Sequence, residues 1–123
     1  LATKVGCFSE NIINALNLNM ASGTPIYIGD TNIEHIKKRH EYEYEKYYKF
    51  LPDIIAQPDY VGLNPKDNSI QLVKEFKISN DYVRVAIKVM QTGTCFVKTM
   101  HILSTCNADR YIEKGTLKHL DTN

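Results

Sequence analysis

Tyr82-Val83-Arg84-Val85-Ala86-Ile87-Lys88-Val89-Met90 alternates residue by residue between two sets of side chains. A period of two belongs to a β-strand with one face buried. Val83, Val85, Ile87 and Val89 are expected to face a core, and Tyr82, Arg84, Ala86, Lys88 and Met90 the opposite side. Residues 60–63, 70–76 and 95–102 also read as strands. The links Asn64-Pro65-Lys66-Asp67-Asn68, Ser79-Asn80-Asp81 and Gln91-Thr92-Gly93 are rich in turn formers. Short links between successive strands make an antiparallel meander.

Upstream, the pattern becomes helical. Ser9 can cap a helix reaching about Asn19, with Ile12, Ile13 and Leu16 on one side. Ala21-Ser22-Gly23-Thr24-Pro25 reads as a loop, and Ile26-Tyr27-Ile28 as a short strand closed by Gly29-Asp30. Thr31 and Glu34 have capping-box spacing and are expected to open a helix ending near His40. Residues 41–50 are expected to continue helically after a bend. Pro52 opens a further turn and Pro58 stops it. A last helix is expected from Asn107 or Ala108 to Lys114, with Gly115 as its left-handed cap. The expected class is α+β: N-terminal helices packed on a four-stranded antiparallel sheet, followed by a short C-terminal helix. Residues 1–24 are expected to form an N-terminal helix and linker, and residues 25–123 the working unit, within one compact domain overall.

The 123 residues suit one core. Formal net charge is +1, so attraction to a polyanion must come from local clusters. No apolar run approaches the roughly 18 residues of a membrane span, and no signal-peptide pattern is visible. The chain starts at Leu1, from which we expect an excised or processed part of a longer protein. Cys7, Cys95 and Cys106 lack zinc-knuckle spacing, and their odd number suits a reducing cytoplasm, although one disulfide is possible.

The most informative stretch for chemistry is Glu34-His35-Ile36-Lys37-Lys38-Arg39-His40. At about 100° per residue, Ile33, Ile36 and His40 share the stripe expected to face the sheet, while His35 lies aside, near Arg39. A histidine on an apolar helix face is more often a core residue than a catalyst. Here the stripe leads to a sheet carrying Arg84, Lys88 and Thr99, and imidazole beside such groups can move a proton and hold a phosphate. In the last strand Val97, Thr99 and His101 are expected on one face, and Phe96, Lys98 and Met100 on the other. Lys74 shares a face with Ile70, Leu72 and Phe76, an unusual place for an ammonium. His35 and His40 are five apart rather than four, which argues against a shared metal, and no metal or cofactor is expected. Tyr42, Tyr44, Tyr47 and Tyr48 are able to stack on bases, against the blander reading of helix packing.

Pro25-Ile26-Tyr27-Ile28 followed by residues 33–40 resembles the opening motif of a nuclease superfamily. So do residues 51–60, the segment Val73-Lys74-Glu75, and Val97-Lys98-Thr99-Met100. The pattern is similar to the phage and polymorphic-toxin branch of the barnase–EndoU–colicin–RelE superfamily, over about residues 25–117. The resemblance implies a metal-independent ribonuclease, often acting on tRNA, and a C-terminal effector of contact-dependent growth inhibition toxins of the CdiA type. It also implies a cognate immunity protein, with a host factor possible. The effector would be secreted or displayed at the cell surface and delivered into the target-cell cytoplasm, with no membrane part in the mature domain. The catalytic positions it implies are His35, His40, Lys74 and Thr99, with Arg84 or Lys88 as the basic residue of the middle strand. Substrate contacts are expected from Lys88, Arg39, Lys98 and Tyr47.

The implied chemistry is attack of a ribose 2′-hydroxyl on the adjacent phosphorus, leaving a 2′,3′-cyclic phosphate and a 5′-hydroxyl. His35 is placed slightly ahead of His40 as the base, because it sits at the helix edge where RNA can enter. Two rival readings stand beside it: a non-catalytic interaction domain of a phage or surface protein, and a metal-dependent DNase toxin.

Overall fold

The computed structural model describes residues 1–121. The elements run β1 (Ala2–Cys7), α1 (Glu10–Leu16), β2 (Pro25–Gly29), α2 (Asp30–Arg39) and α3 (Glu41–Tyr47). After a 3₁₀ turn at Tyr48–Phe50 come α4 (Leu51–Ala56), β3 (Tyr60–Leu63), β4 (Ile70–Phe76), β5 (Asp81–Val89) and β6 (Cys95–Leu103). The described chain ends with α5 (Thr105–Lys114) and β7 (Leu117–His119).

The meander is present as β3–β4–β5–β6, every neighbouring pair antiparallel. It is the middle of a larger sheet. Seven strands are arranged β1-β2-β6-β5-β4-β3-β7, and β2 runs parallel to β6. The four-stranded expectation is thereby corrected to a seven-stranded mixed sheet, and the helices are interleaved with strands rather than all preceding them. The first 24 residues supply a strand as well as a helix. Strand β1 lacks a legible period because its register shifts between Lys4 and Gly6.

Strand β5 sorts its side chains as its alternation demands. Val83, Val85 and Ile87 are fully buried with Leu72, Val97 and Met100 on the core face, under α1–α4. Val89 departs from the expectation: it ends the strand and is exposed. Ile12, Ile36, Leu51, Ile54 and Ile55 bring the helices onto that face. Each such side chain contributes about 1.5–3 kcal/mol of burial. On the outer face, α5 covers a smaller cluster of Val73, Leu103, Ala108 and Leu117.

Local chemistry explains the helix ends, with two corrections. Ser9 caps α1, accepting from Ile12 N–H at 3.3 Å. Helix α2 does not use the Thr31–Glu34 box: it starts at Asp30, with Gly29 as an N-cap that has no side-chain bond to give. Glu34 instead pairs with Lys37 at 3.6 Å. Helix α5 starts earlier than expected because Ser104 caps it through Asn107 N–H at 3.1 Å, and Gly115 ends it at φ 83° as expected.

Gly62 lets β7 dock on β3. A methyl group there would sit 1.9 Å from the Thr116 carbonyl oxygen, a backbone atom that cannot yield without moving β7. Gly62→Ala is therefore expected to destabilise the protein by about 3 kcal/mol, seen as a lower urea midpoint. An unchanged midpoint would contradict the β3–β7 pairing.

Candidate active site

Strands β2 and β6 pair at Ile26–Cys95 and Tyr27–Phe96 and then part. Just beyond, β6 carries a bulge: Ile87 pairs with Val97, but Ala86 pairs with Thr99, so Lys98 is the extra residue. The bulge resets the alternation. Val97 and Met100 both reach the core, while Thr99 and His101 turn to the outer face beside Ala86 and Arg84. The expected grouping of Val97 with Thr99 and His101 is corrected accordingly.

The freed edge of β6 has backbone groups that need partners. Asn32 Nδ2 donates to the Lys98 carbonyl at 3.3 Å, and Ile102 N–H donates to Glu43 Oε2 at 3.1 Å. These two bonds pin α2 and α3 along the strand. His40 is the residue between the two helices: its N–H closes α2 on Ile36 O, and its carbonyl receives Tyr44 N–H. Its ring therefore lies at the strand edge, stacked on His101 with centroids 5.3 Å apart. His35, one turn back and exposed, meets His40 edge-on at 5.9 Å. Glu43 Oε2 lies 3.8 Å from His40 Nδ1.

Behind His101 stands Arg84. Its Nε and Nη2 lie 3.2 and 2.6 Å from His101 Nε2, and Nη1 donates to Gln71 Oε1 at 2.9 Å. Guanidinium has no acceptor, so His101 Nε2 must be unprotonated and the hydrogen must sit on Nδ1. Burial, Arg84 and His40 push His101 down to about 4, with Glu43 opposing them. Burial also lowers Arg84 from its ordinary value, while the Tyr111 hydroxyl and Asp67 act the other way. Two buried polar atoms on this face, Thr99 Oγ1 and His101 Nδ1, have no partner among the described residues. Such atoms are costly, and buried unsatisfied groups of this kind collect at functional sites.

The expected site residues thus divide. His35, His40, Arg84 and Thr99 gather around the β6 edge with His101, Gln71 and Glu43. Lys98 flanks the outer face, bound to Asp67 at 2.8 Å, a bond that holds Asp67 well below the usual carboxylate range. Lys88 and Arg39 are exposed. Lys74 lies on the core-face side of β4, opposite Arg84, and its ammonium donates to Gln57 O at 2.9 Å. It is not brought to the histidines. Tyr47 is 2 % exposed, its hydroxyl held by Ser79 and Asp81, so the expected contact of its ring with a base is corrected: no ring face is open. The cysteines are free thiols, Cys95 buried and Cys7 and Cys106 exposed. Among the described residues no group of three His, Cys, Asp or Glu side chains is arranged to hold a metal.

His101, Gln71 and Glu43 were missing from the expected set. One signal for His101 was legible: Cys95, Val97, Met100 and Ile102 are apolar at steps of two, three and two, the mark of a bulge between Val97 and Met100. Glu43 has no such signal, since it sits among glutamates that read as a solvated face.

A depressed histidine makes stability depend on pH in a defined direction. The unfolded chain takes up a proton on His101 near pH 6.5, whereas the folded chain does so at about 4. Stability from this group is complete above pH 6.5 and is lost as pH falls through that window. The wild-type stability curve is expected to be steeper than that of His101→Gln by about one proton over the window. Equal slopes in denaturant titrations would show that His101 is not held neutral.

No curated protein and no solved structure matches the chain. A family model does, over residues 3–110, described as phage-Barnase-EndoU-ColicinE5/D-RelE like nuclease3. That span includes most of β1, every histidine of the cluster, Arg84, and most of the sheet. With this match over most of its length, the chain belongs to the phage-type Barnase–EndoU–ColicinE5/D–RelE-like nuclease family.

Proposed function

We propose that this nuclease is a metal-independent endoribonuclease acting on RNA, tRNA foremost, as the toxic effector domain of a contact-dependent growth inhibition protein. The observation that carries the reading is the stack of His40 on a neutral His101 whose Nε2 faces Arg84. It supports the reading because His101 joins a partly exposed imidazole to an oriented cation, the two groups that the chemistry needs.

In this reading His40 is the base. Glu43 faces Nδ1, which leaves Nε2 to accept the proton of the ribose 2′-hydroxyl. The freed oxygen attacks phosphorus as the bond to the 5′-oxygen breaks. His35, the neighbouring exposed imidazole, returns a proton to that leaving oxygen. Arg84 stabilises the phosphorane through the N–H groups that Gln71 and His101 do not occupy. His101 holds Arg84 in place from the sheet, and Thr99 lies beside it on the same face. DNA lacks the attacking hydroxyl, so RNA is the substrate.

The effector role rests on the family and on the resemblance, with a cognate immunity protein as partner, delivery into a target-cell cytoplasm and room for a host factor. An immunity protein covering this face would set carboxylates against Arg84, Lys88 and Lys98.

The purified protein is expected to cut RNA in EDTA, leaving cyclic phosphate and 5′-hydroxyl ends, and to spare DNA. His40→Ala should slow cutting by about 100-fold or more with little change in melting temperature. Arg84→Lys should cost about 100-fold, because a lysine cannot reproduce the forked donor set. Wild-type cutting by His40→Ala, or cutting abolished by EDTA, would overturn the mechanism.

A further inference from the structure

We propose that the cleft floored by Tyr27 and Phe96 is a nucleobase-binding subsite for single-stranded RNA, on the same sheet face as Arg84 and His101. The proposal rests on the ribonuclease reading for the identity of the strand that enters.

The alternation of β2 and β6 puts Ile26, Ile28, Cys95 and Val97 in the core, which leaves Tyr27 and Phe96 on the outer face. These two paired residues hold their rings 6.1 Å apart, tilted by 45°. Both are half-buried, and α5 sits over the other end of the sheet. An aromatic pair left half-open on a strand pair is either a protein-contact patch or a stacking platform. The surroundings favour stacking by a base.

The cleft has a volume of about 510 Å³ and its rim carries Thr24, Thr92 and Thr94. That size falls in the roughly 300–1,000 Å³ range of small-ligand sites. The rim hydroxyls can bond base edges, and among the described residues no carboxylate lines the cleft to repel a phosphate. Across the sheet, Lys4 pairs with Tyr27 and Lys88 with Phe96. Both lysines are exposed and neither forms an ion pair among the described residues. Aromatic faces flanked by unengaged ammonium groups suit a single strand, whose bases stack while its phosphates are neutralised. From Phe96 to His101 along β6 is about 15 Å at strand rise, close enough for one strand to occupy both places.

The test uses the whole protein and a fluorescent 2′-O-methyl oligonucleotide, which cannot be cut, beside an abasic strand with the same phosphates. The wild-type protein is expected to bind the base-bearing strand about tenfold more tightly. Tyr27→Leu and Phe96→Leu each keep apolar bulk but remove a stacking face, and should abolish that preference at unchanged melting temperature. If Tyr27→Leu fails to fold, Phe96→Leu decides alone. Equal binding of the two strands by wild type, or an undiminished preference in a folded variant, would overturn the subsite and leave the cleft to a protein side chain. Because the probe is not cleaved, a failure of the ribonuclease reading would appear separately, as intact RNA in the cleavage assay.

Discussion

Strand β6 loses its pairing with β2 after Phe96, and the rest of the site follows from how that loose edge is satisfied. A strand edge cannot be left with unbonded backbone groups under a packed helix layer. Here the partners are side chains, Asn32 from α2 and Glu43 from α3. Two short helices are thereby fixed side-on to a strand, with the joint between them, His40, held against it. The bulge at Lys98 completes the arrangement by turning Thr99 and His101 to the face that carries Arg84. A sheet paired along its full length would have covered this edge with β2 and closed the site.

The electrostatics follow from the same geometry. Arg84 lies between Gln71 and His101 on adjacent strands, so three of its donors are directed by the sheet itself. A neutral imidazole is the acceptor that such a cation needs, and the cation in turn keeps the imidazole neutral. Glu43 has two tasks, closing the strand edge and facing His40. Fold and site therefore share residues, and substitutions at Glu43 or Asn32 should act on both.

Much of the frame was legible in the sequence. The central four strands, the Ser9 cap, the Gly115 stop and the break at Pro58 follow from period and local chemistry. The outer strands were not legible for physical reasons. Strand β1 has a register shift that breaks its period, and the described β7 spans Leu117–His119. The site was legible in its residue types more than in its arrangement. His40 and Arg84 stood out from their own elements, but the partner that joins them, His101, depends on a bulge that changes the parity of half a strand. Tyr47 shows the opposite error: a tyrosine amid charged residues read as available, while its ring packs against Phe76 in the core. Lys74 stood out as an odd residue, and its oddness has a local reason, the carbonyl of Gln57 at the end of α4.

The most direct test of this account is the protonation state of His101. Long-range proton–nitrogen NMR spectra of the imidazoles, recorded across pH 7 to about 4, report tautomer and charge residue by residue. The account predicts a neutral His101 with its hydrogen on Nδ1 until the pH approaches about 4. A His101 that titrates near 6.5, or that carries its hydrogen on Nε2, would contradict it, because Arg84 would then have no acceptor to hold it in place.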